Sequence, residues 1–201
     1  MKKNYFFAIS LLITSYGISQ EFEIGPMINY EPSSFNIPDS SFIVIGGPGG
    51  ASEGSRTTGF EKHITFGGYA AYFFEDNVGV AAELFYQETS ATEFGDNVFK
   101  SINFIPYGAF EFWNTNIFLN LGAGIGLMID TPEFGEGYNV DKKDIKKFDI
   151  PVKAGFDYKI DNILTIGFGV HSSVTRVVKD EILRTHYYLG IKVPLNRILA
   201  K

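Results

Sequence analysis

The sequence predicts an all-β protein, an eight-stranded antiparallel up-and-down transmembrane β-barrel. Eight segments of about 9–13 residues alternate apolar and polar side chains with a period of two. Short polar turns and longer polar links alternate between these segments. The composition, with 20 phenylalanines, 11 tyrosines and 22 glycines but three methionines, favours strands and tight turns over helices.

The order of the connections predicts the topology. Tight turns are predicted at 75–77, 113–116 and 161–162, and longer links at 31–62, 89–99, 130–148 and 172–184. This alternation predicts that both termini and the short turns lie at the periplasmic end of the barrel. The eight apolar-alternating segments are residues 22–30, 64–74, 78–86, 102–112, 117–129, 150–158, 164–170 and 187–195.

The residues at the alternate positions of each strand, opposite the apolar set, distinguish a membrane barrel from a soluble one. The fifth segment is free of charge over residues 117–129, whereas a wetted outer face would carry charged side chains. A lysine facing lipid near the bilayer midplane costs about 2–4 kcal/mol, so charges must face inward. The strand-interior charges share the parity opposite the apolar set; they are Glu23, Glu83, Glu111, Asp149, Lys153, Asp157, Lys159 and Lys192.

We therefore predict a lumen filled by paired polar side chains, because barrels of this size are packed inside. The pair Glu83 and Glu111 also suggests acid–base catalysis, but pairing of both carboxylates with lysines is favoured. The predicted lumen network comprises Glu83, Glu111, Lys153, Asp157, Lys159 and Lys192.

The N-terminal residues have the pattern of a secretory signal. A basic start at Lys2 and Lys3 precedes the apolar run 5–13, and Gly17 and Ser19 place small residues at the −3 and −1 positions. We expect a signal peptide at 1–19 and a barrel domain at 20–201. Cleavage leaves 15 basic against 23 acidic residues, so the formal net charge moves from −6 to −8. This charge argues against a nucleic-acid partner.

The chain contains no cysteine. Disulfides, thiolate metal sites, a cysteine nucleophile and a lipoprotein anchor are thereby excluded. No cofactor is predicted. Aromatic residues at the segment ends predict two membrane interfaces. The periplasmic set is Tyr72, Phe74, Phe112, Trp113 and Tyr158, and the outer set is Tyr30, Tyr86 and Tyr187.

The segments Gly79–Tyr86 and Leu119–Gly126 resemble the outer-membrane β-barrel domain family, which includes eight-stranded OmpA/OmpX-type and PorT-like barrels. The resemblance covers the whole chain after the signal peptide. It implies an integral protein of the cell outer membrane, with membrane lipid as its surroundings. Such barrels often end on an aromatic residue, whereas this chain continues through 196–201.

Three histidines are expected near the outer rim on the inward parity, together with one carboxylate. These residues, His63, His171, His186 and Asp149, are candidate metal ligands. Hydrogen bonding of the histidines to the links is the favoured interpretation.

His171-Ser172-Ser173 resembles the His-x-Ser of the lipid A deacylase barrels. That resemblance implies His171 as base, Ser173 as nucleophile and Asp180 or Glu181 as orienting acid. The strand alternation points His171 into the lumen, whereas a lipid substrate approaches from outside.

The long first link contains a β-prone run of candidate binding residues, Phe42, Ile43, Val44 and Ile45. Links longer than about 12–15 residues are usually functional or disordered. We predict a non-enzymatic outer-membrane barrel with an envelope-structural or surface-interaction role, whose extracellular loops can bind a protein partner. The alternatives are a lipid A deacylase-like enzyme and a soluble secreted barrel that binds an apolar ligand.

Overall fold

The computed structural model describes residues 22–45, 51–90, 98–130, 145–161, 163–176 and 182–199, with the backbone alone for 37–45 and 51–56. The predicted signal peptide and Gln20 lie outside these residues, so its boundary stays a prediction. The strands are β1 Phe22–Ile45, β2 Ala51–Thr57, β3 Glu61–Glu75, β4 Val78–Thr89, β5 Phe99–Glu111, β6 Ile117–Ala123, β7 Ile125–Asp130, β8 Phe148–Asp149, β9 Pro151–Ile160, β10 Leu164–Ser173 and β11 Leu183–Lys192. A short helix, α1, spans Leu195–Leu199.

All strand pairings are antiparallel, and they close the sheet into a barrel. The first strand β1 pairs with both β3 and the last strand β11, and β4 pairs with β5. Around the wall the order is β1, β3, β4, β5, β6 with β7, β8 with β9, β10 and β11. This is an eight-stranded up-and-down barrel, which confirms the predicted fold class.

The fifth wall strand is assigned in two pieces, β6 and β7, but it is continuous in register. Gly122 of β6 lies opposite Tyr107, and Ile125 of β7 lies opposite Phe104. The two pairs are therefore three positions apart on both strands, and the register does not shift. At Gly124 between them, a Cβ would lie 2.0 Å from the Phe104 carbonyl oxygen. Glycine therefore allows the close backbone approach at this point, and the predicted single segment 117–129 is retained.

Two of the tight connections contain residues with a left-handed backbone. Trp113, Asn114 and Asn116 have φ of 44°, 57° and 60°, and Asp161 has φ of 49°. Asn and Asp adopt this region more readily than other non-glycine residues. The turns at 75–77 and 113–116 and the connection between β9 and β10 all lie at the same end of the barrel as Phe22 and α1; Asn162 of the third predicted turn lies outside the described residues. We call this the short-turn end, and the opposite end the long-link end.

The predicted first link, 31–62, is wrong in its bounds. Instead of ending at Tyr30, β1 continues to Ile45 and β3 begins at Glu61. Pairing of β1 with β11 continues to Asn36 opposite Leu183 without a register shift. The alternation of apolar residues stops near Tyr30 because the outward face beyond that point no longer needs to be apolar, whereas backbone hydrogen bonding does not depend on side-chain polarity.

The two faces of the wall divide as predicted. Outward aliphatic residues are exposed, with Ile64 at 62% and Leu121 at 48% of their surface, whereas Asn120 beside Leu121 has 0% exposed. The predicted interface aromatics lie outward as well: Tyr72 contacts Phe74 with ring centroids 5.7 Å apart. The wall thus exposes hydrocarbon outside and buries polar groups inside, the reverse of a soluble barrel.

The residues after β11 fold back beneath the barrel at the short-turn end. Asn196 accepts a hydrogen bond from the Ile24 N–H at 2.9 Å and donates one to the Phe22 carbonyl at 2.8 Å. The continuation that departs from the family pattern therefore ties the ends of β1 and β11 together. Within the described residues, no helix has the length and apolar character needed to cross a membrane.

We predict that Leu121→Lys destabilises the folded barrel by about 2–4 kcal/mol, because the new charge faces lipid near mid-strand. Asn120→Lys is expected to cost less, because Asp157 Oδ1 lines the same lumen cavity as Asn120, has no hydrogen-bond partner among the described residues and can accept from the new ammonium group. The folded fraction of each variant in urea, measured from its faster migration on an unheated gel, tests this. The assignment of faces is contradicted if Asn120→Lys is the more damaging change.

Candidate functional site

The lumen is the first candidate site, because every strand of the wall contributes side chains to it. At its centre, Glu83 from β4 is fully buried and faces Lys153 from β9 and Lys192 from β11. The Nζ atoms of the two lysines lie 2.5 Å and 2.9 Å from Glu83 Oε1. Lys192 also lies 2.6 Å from Asp157 Oδ2. Two carboxylates and two ammonium groups therefore form a neutral unit, which we call the central ion cluster.

Tyrosines complete the central ion cluster. The Tyr107 hydroxyl donates to Glu83 Oε1 at 3.1 Å and accepts from Lys192 Nζ at 3.0 Å. Lys153 Nζ lies 4.4 Å and 4.9 Å from the ring centroids of Tyr107 and Tyr188, within the range of cation–π attraction. At Gly155 a Cβ would lie 2.2 Å from the Tyr188 hydroxyl, so this glycine makes room for the ring. The cluster fills the lumen at its centre.

A second ion group lies toward the short-turn end. Glu23 Oε1 is 2.9 Å from Lys159 Nζ and 3.2 Å from the Arg197 guanidinium of α1. The same Lys159 Nζ lies 3.4 Å from the centroid of the Phe73 ring and 4.6 Å from that of Phe118. Of the six predicted network residues, Lys159 thus belongs to this group and not to the central ion cluster.

Glu111 departs from the predicted network. It shares the inward parity, but it is half-buried at the mouth of the short-turn end. Its Oε1 accepts a hydrogen bond from the Asn116 N–H at 2.7 Å, and among the described residues no lysine pairs with it. The correction is that Glu111 stabilises the 113–116 turn, because β5 ends at this residue and carries it out of the lumen.

Toward the long-link end the lumen contains Glu31, a residue that the sequence analysis placed in a link. Its carboxylate is fully buried and accepts hydrogen bonds from Thr65 Oγ1 and Gln87 Nε2, both at 2.7 Å, and from Asn29 Nδ2 at 3.2 Å. His171 Nδ1 lies 3.3 Å from Glu31 Oε1. The sequence does contain a signal for it: Glu31 is the next inward-facing position of β1 after Asn29, on the same alternation as Glu23.

Arg184 is the other lumen residue missed by the sequence analysis. Its guanidinium is buried and forms an ion pair with Asp149. Asp149 also accepts hydrogen bonds from Ser173 Oγ at 2.7 Å and Thr175 Oγ1 at 2.6 Å. Arg184 was assigned to the last link, although it has the parity of His186 and Lys192. The structure shows that β11 begins one residue before it.

The structure disperses the four candidate metal ligands among different partners. His171 Nδ1 lies 3.3 Å from Glu31 Oε1, His63 Nε2 lies 2.8 Å from Ser90 Oγ, and His186 Nε2 lies 3.2 Å from Thr89 Oγ1. Asp149 forms an ion pair with Arg184. Among the described residues, no three His, Cys, Asp or Glu side chains are placed to hold a metal ion.

The deacylase-like pair is also separated. His171 and Ser173 are both buried and face the lumen, as the strand alternation predicted for His171. The His171 ring stacks between Phe85 and Tyr188, with centroids 5.4 Å and 4.6 Å away, while Ser173 Oγ donates to Asp149. Asp180 and Glu181 lie outside the described residues. Neither partner reaches the outward face, where a lipid would approach.

The space inside the described barrel does not suit an apolar ligand. An inner cavity of about 20 Å³ lies below the central ion cluster, and a wider mouth of about 410 Å³ lies at the short-turn end. The mouth is lined by polar and charged groups including Glu75, Asp76 and Asp161. The alternative of a soluble barrel with an apolar pocket inside therefore lacks a matching cavity in this part of the chain.

The second candidate site is the extension of β1 beyond the barrel wall. β2 pairs with it from Asn36 opposite Thr57 to Ile45 opposite Ala51, with a register shift between Asp39 and Ile43. We call residues 36–45 and 51–57 the ribbon. It lies at the long-link end and carries the candidate binding residues; Phe42, Ile43, Val44 and Ile45 all belong to its first strand.

Comparisons with known proteins find similar folds and no related sequence. No family model and no curated protein matches the chain. Among solved structures, the attachment invasion locus protein Ail of Yersinia pestis superposes with a TM-score of 0.49 at 15% identity, covering 87% of this chain and 99% of that one. Neisserial surface protein A gives 0.47 at 11%, covering 86% and 96%. OprG of Pseudomonas aeruginosa gives 0.37 at 13%, covering 85% and 96%.

We predict that Glu83→Gln destabilises the barrel by about 3–5 kcal/mol, because it leaves the buried Lys153 and Lys192 with one carboxylate between them. The matched control Glu88→Gln, on the same strand but partly exposed, should cost less than about 1 kcal/mol. Adding Lys153→Met to Glu83→Gln should recover part of the loss. Urea unfolding in detergent micelles measures all three, and equal effects of the two single variants would contradict the cluster's role.

Proposed function

We propose that this protein is a non-enzymatic integral barrel of the bacterial outer membrane that acts at the cell surface through its long-link end. The observation that carries the proposal is the polarity of the wall, apolar outside and charged inside. Outward residues such as Ile64, Phe66 and Leu189 are more than half exposed, whereas Glu83 and Lys153 are buried. Such a wall is stable when hydrocarbon surrounds it, because exposed apolar surface is unfavourable in water.

The dimensions of the apolar wall fit a bilayer. On β3 the outward apolar positions run from Ile64 to Phe74, eleven residues, and a tilted membrane strand needs about 9–11. Aromatic side chains border this band at both ends, with Tyr72, Phe74 and Trp113 toward the short-turn end and Tyr30 and Tyr187 toward the other. Export through the predicted signal peptide is consistent with an outer-membrane destination.

The proposed orientation places the short-turn end in the periplasm and the long-link end outside the cell. Support comes from the position of Phe22 and α1 at the end of the barrel that carries the tight turns. Outer-membrane barrels combine short periplasmic turns with long extracellular connections. The ribbon then projects from the cell surface.

We propose that the protein is not an enzyme because of the contacts that the lumen side chains make. Two of the residues that suggested chemistry are committed to structural partners, Glu83 to two lysines and Ser173 to Asp149. The His171 ring is held by stacking between Phe85 and Tyr188, with its Nδ1 3.3 Å from Glu31 Oε1. A nucleophile and its base need hydrogen-bonding contact and a place for the substrate. The Ser173 hydroxyl instead donates a hydrogen bond to Asp149, whose charge is already neutralised by Arg184.

The ribbon supports a surface-interaction role. Its two strands continue β1 and the N-terminal side of β3 past the last pair between those two strands, Ser33 opposite Glu61. A two-stranded ribbon offers backbone groups along its edges that a partner strand can pair with. We propose that a protein partner binds there, with residues 42–45 as the contacting segment.

We predict that the mature protein starts at Gln20, fractionates with outer membranes after a carbonate wash, and migrates faster on a gel before heating than after it. Replacing Ser19 with Phe is the control, because a large residue at the −1 position blocks cleavage and retains the precursor. N-terminal sequencing and fractionation provide the measurement. Recovery of the protein in the soluble periplasm would contradict the membrane location.

We also predict that replacing residues 40–53 with Asn-Gly leaves the barrel intact and abolishes partner binding. The new turn closes the ribbon at the Asp39–Gly54 pair, and Asn-Gly suits a two-residue hairpin turn. The measurement is adhesion of cells producing the protein to surfaces coated with extracellular-matrix proteins, alongside heat-modifiable gel migration.

Trp113→Ala is the matched control for this experiment, since Trp113 is exposed at the opposite end of the barrel. That variant should adhere like the wild type. A shortened ribbon that adheres normally would contradict the binding role, and one that prevents barrel formation would show that the ribbon belongs to the fold.

A further inference from the structure

The inner cavity is bordered by polar side chains from seven of the eight wall strands. It lies between the central ion cluster and the Glu23–Lys159 pair, and its volume is about 20 Å³. Its apolar lining includes Phe73 and Phe118 toward the short-turn end. The polar residues that line it are Glu23, Tyr69, Tyr107, Asn120, Asp157, Lys159, Thr165 and Lys192.

Three of these residues bring unsatisfied hydrogen-bonding atoms to the cavity. Asn120 has 0% of its surface exposed, and neither its Oδ1 nor its Nδ2 has a hydrogen-bond partner among the described residues. The same holds for the Tyr69 hydroxyl and for Asp157 Oδ1. Buried polar groups in native proteins are nearly always paired with protein or with ordered water. Four unpartnered atoms around one cavity therefore indicate a ligand.

We propose that this cavity is a binding site for one ordered water molecule, held chiefly by Asn120 and Asp157. The volume admits a guest of this size, because a buried water needs roughly 10–15 Å³ of such space. It also excludes anything much larger. A buried water typically makes about three hydrogen bonds to otherwise unsatisfied groups, within a range of roughly two to four, and the cavity offers four unpartnered atoms.

The chemistry of the lining favours water over a cation. Asn120 contributes both a donor and an acceptor, and Asp157 Oδ1 contributes an acceptor. Water donates and accepts, whereas a metal cation cannot accept from the Asn120 Nδ2 group. The charge of Asp157 is already offset by Lys192 Nζ at 2.6 Å from its other oxygen. The other two charged residues of the lining, Glu23 and Lys159, also form an ion pair, at 2.9 Å. The site is therefore close to neutral, as a neutral guest requires.

The inner cavity lies next to the wide mouth at the short-turn end. Phe73, Phe118 and Lys159 line both the inner cavity and the wide mouth at the short-turn end. On its other side the central ion cluster fills the lumen. The edge-to-face contact of the Phe73 and Phe118 rings, whose centroids are 5.4 Å apart, therefore lies between the cavity and the mouth.

A crystal structure of the detergent-solubilised wild-type protein tests the proposal directly. The expected result is one density peak in the cavity, about 2.7–3.2 Å from Asn120 Nδ2 and from Asp157 Oδ1. An empty cavity would overturn the proposal. So would a peak about 2.3–2.6 Å from oxygen atoms alone, with no contact to Asn120 Nδ2, since that geometry belongs to a bound cation.

The variant Asn120→Leu, similar in size but without polar atoms, should lose the density peak. Asn103→Leu is the matched control: Asn103 is also fully buried in the lumen, but it donates to Gln87 Oε1 at 3.0 Å and lies outside the cavity lining. The peak should persist in that variant. Persistence of the peak in Asn120→Leu would overturn the role of Asn120, and the wild-type structure decides the proposal if either variant fails to fold.

Discussion

The closure of the backbone hydrogen-bond ladder is the constraint on which the rest of the structure depends. Hydrocarbon cannot hydrogen-bond an unpaired strand edge, so a sheet that spans a bilayer must have no edge within it. Here β1 pairs with β11 and β4 pairs with β5, which leaves each wall strand with two neighbours. Once the sheet is closed with eight strands, its diameter is fixed, and the lumen is narrow enough for side chains to fill.

A narrow lumen in turn determines which charges it can contain. A buried carboxylate is tolerated when it is paired and hydrogen-bonded, because desolvation of a lone charge is costly. The central ion cluster balances Glu83 and Asp157 against Lys153 and Lys192, and Arg184 balances Asp149 near the long-link end. The paired charges therefore fill the lumen, and the two ends of the barrel are the regions that can contact other molecules.

The two ends have different structures. At the short-turn end, α1 and the Asn196 side chain tie the first and last strands together. At the long-link end, β1 and β2 extend past the wall as the ribbon. A rigid wall that presents a long connection at one end is a common arrangement for recognition, because the wall holds the connection in position at little entropic cost on binding.

The sequence by itself determined the strand class, the number of wall strands, the tight turns and the outward face. Each depends on a local rule: successive side chains of a strand point to opposite faces, and Asn and Asp favour left-handed turns. The tertiary structure decided which charges meet, that Glu31 and Arg184 join the lumen, that Glu111 leaves it, and how far β1 extends. These depend on register between strands such as β4 and β9, whose Glu83 and Lys153 are 70 residues apart. No local period encodes the height at which two distant strands align, since hydrogen bonding around the whole closed sheet sets it.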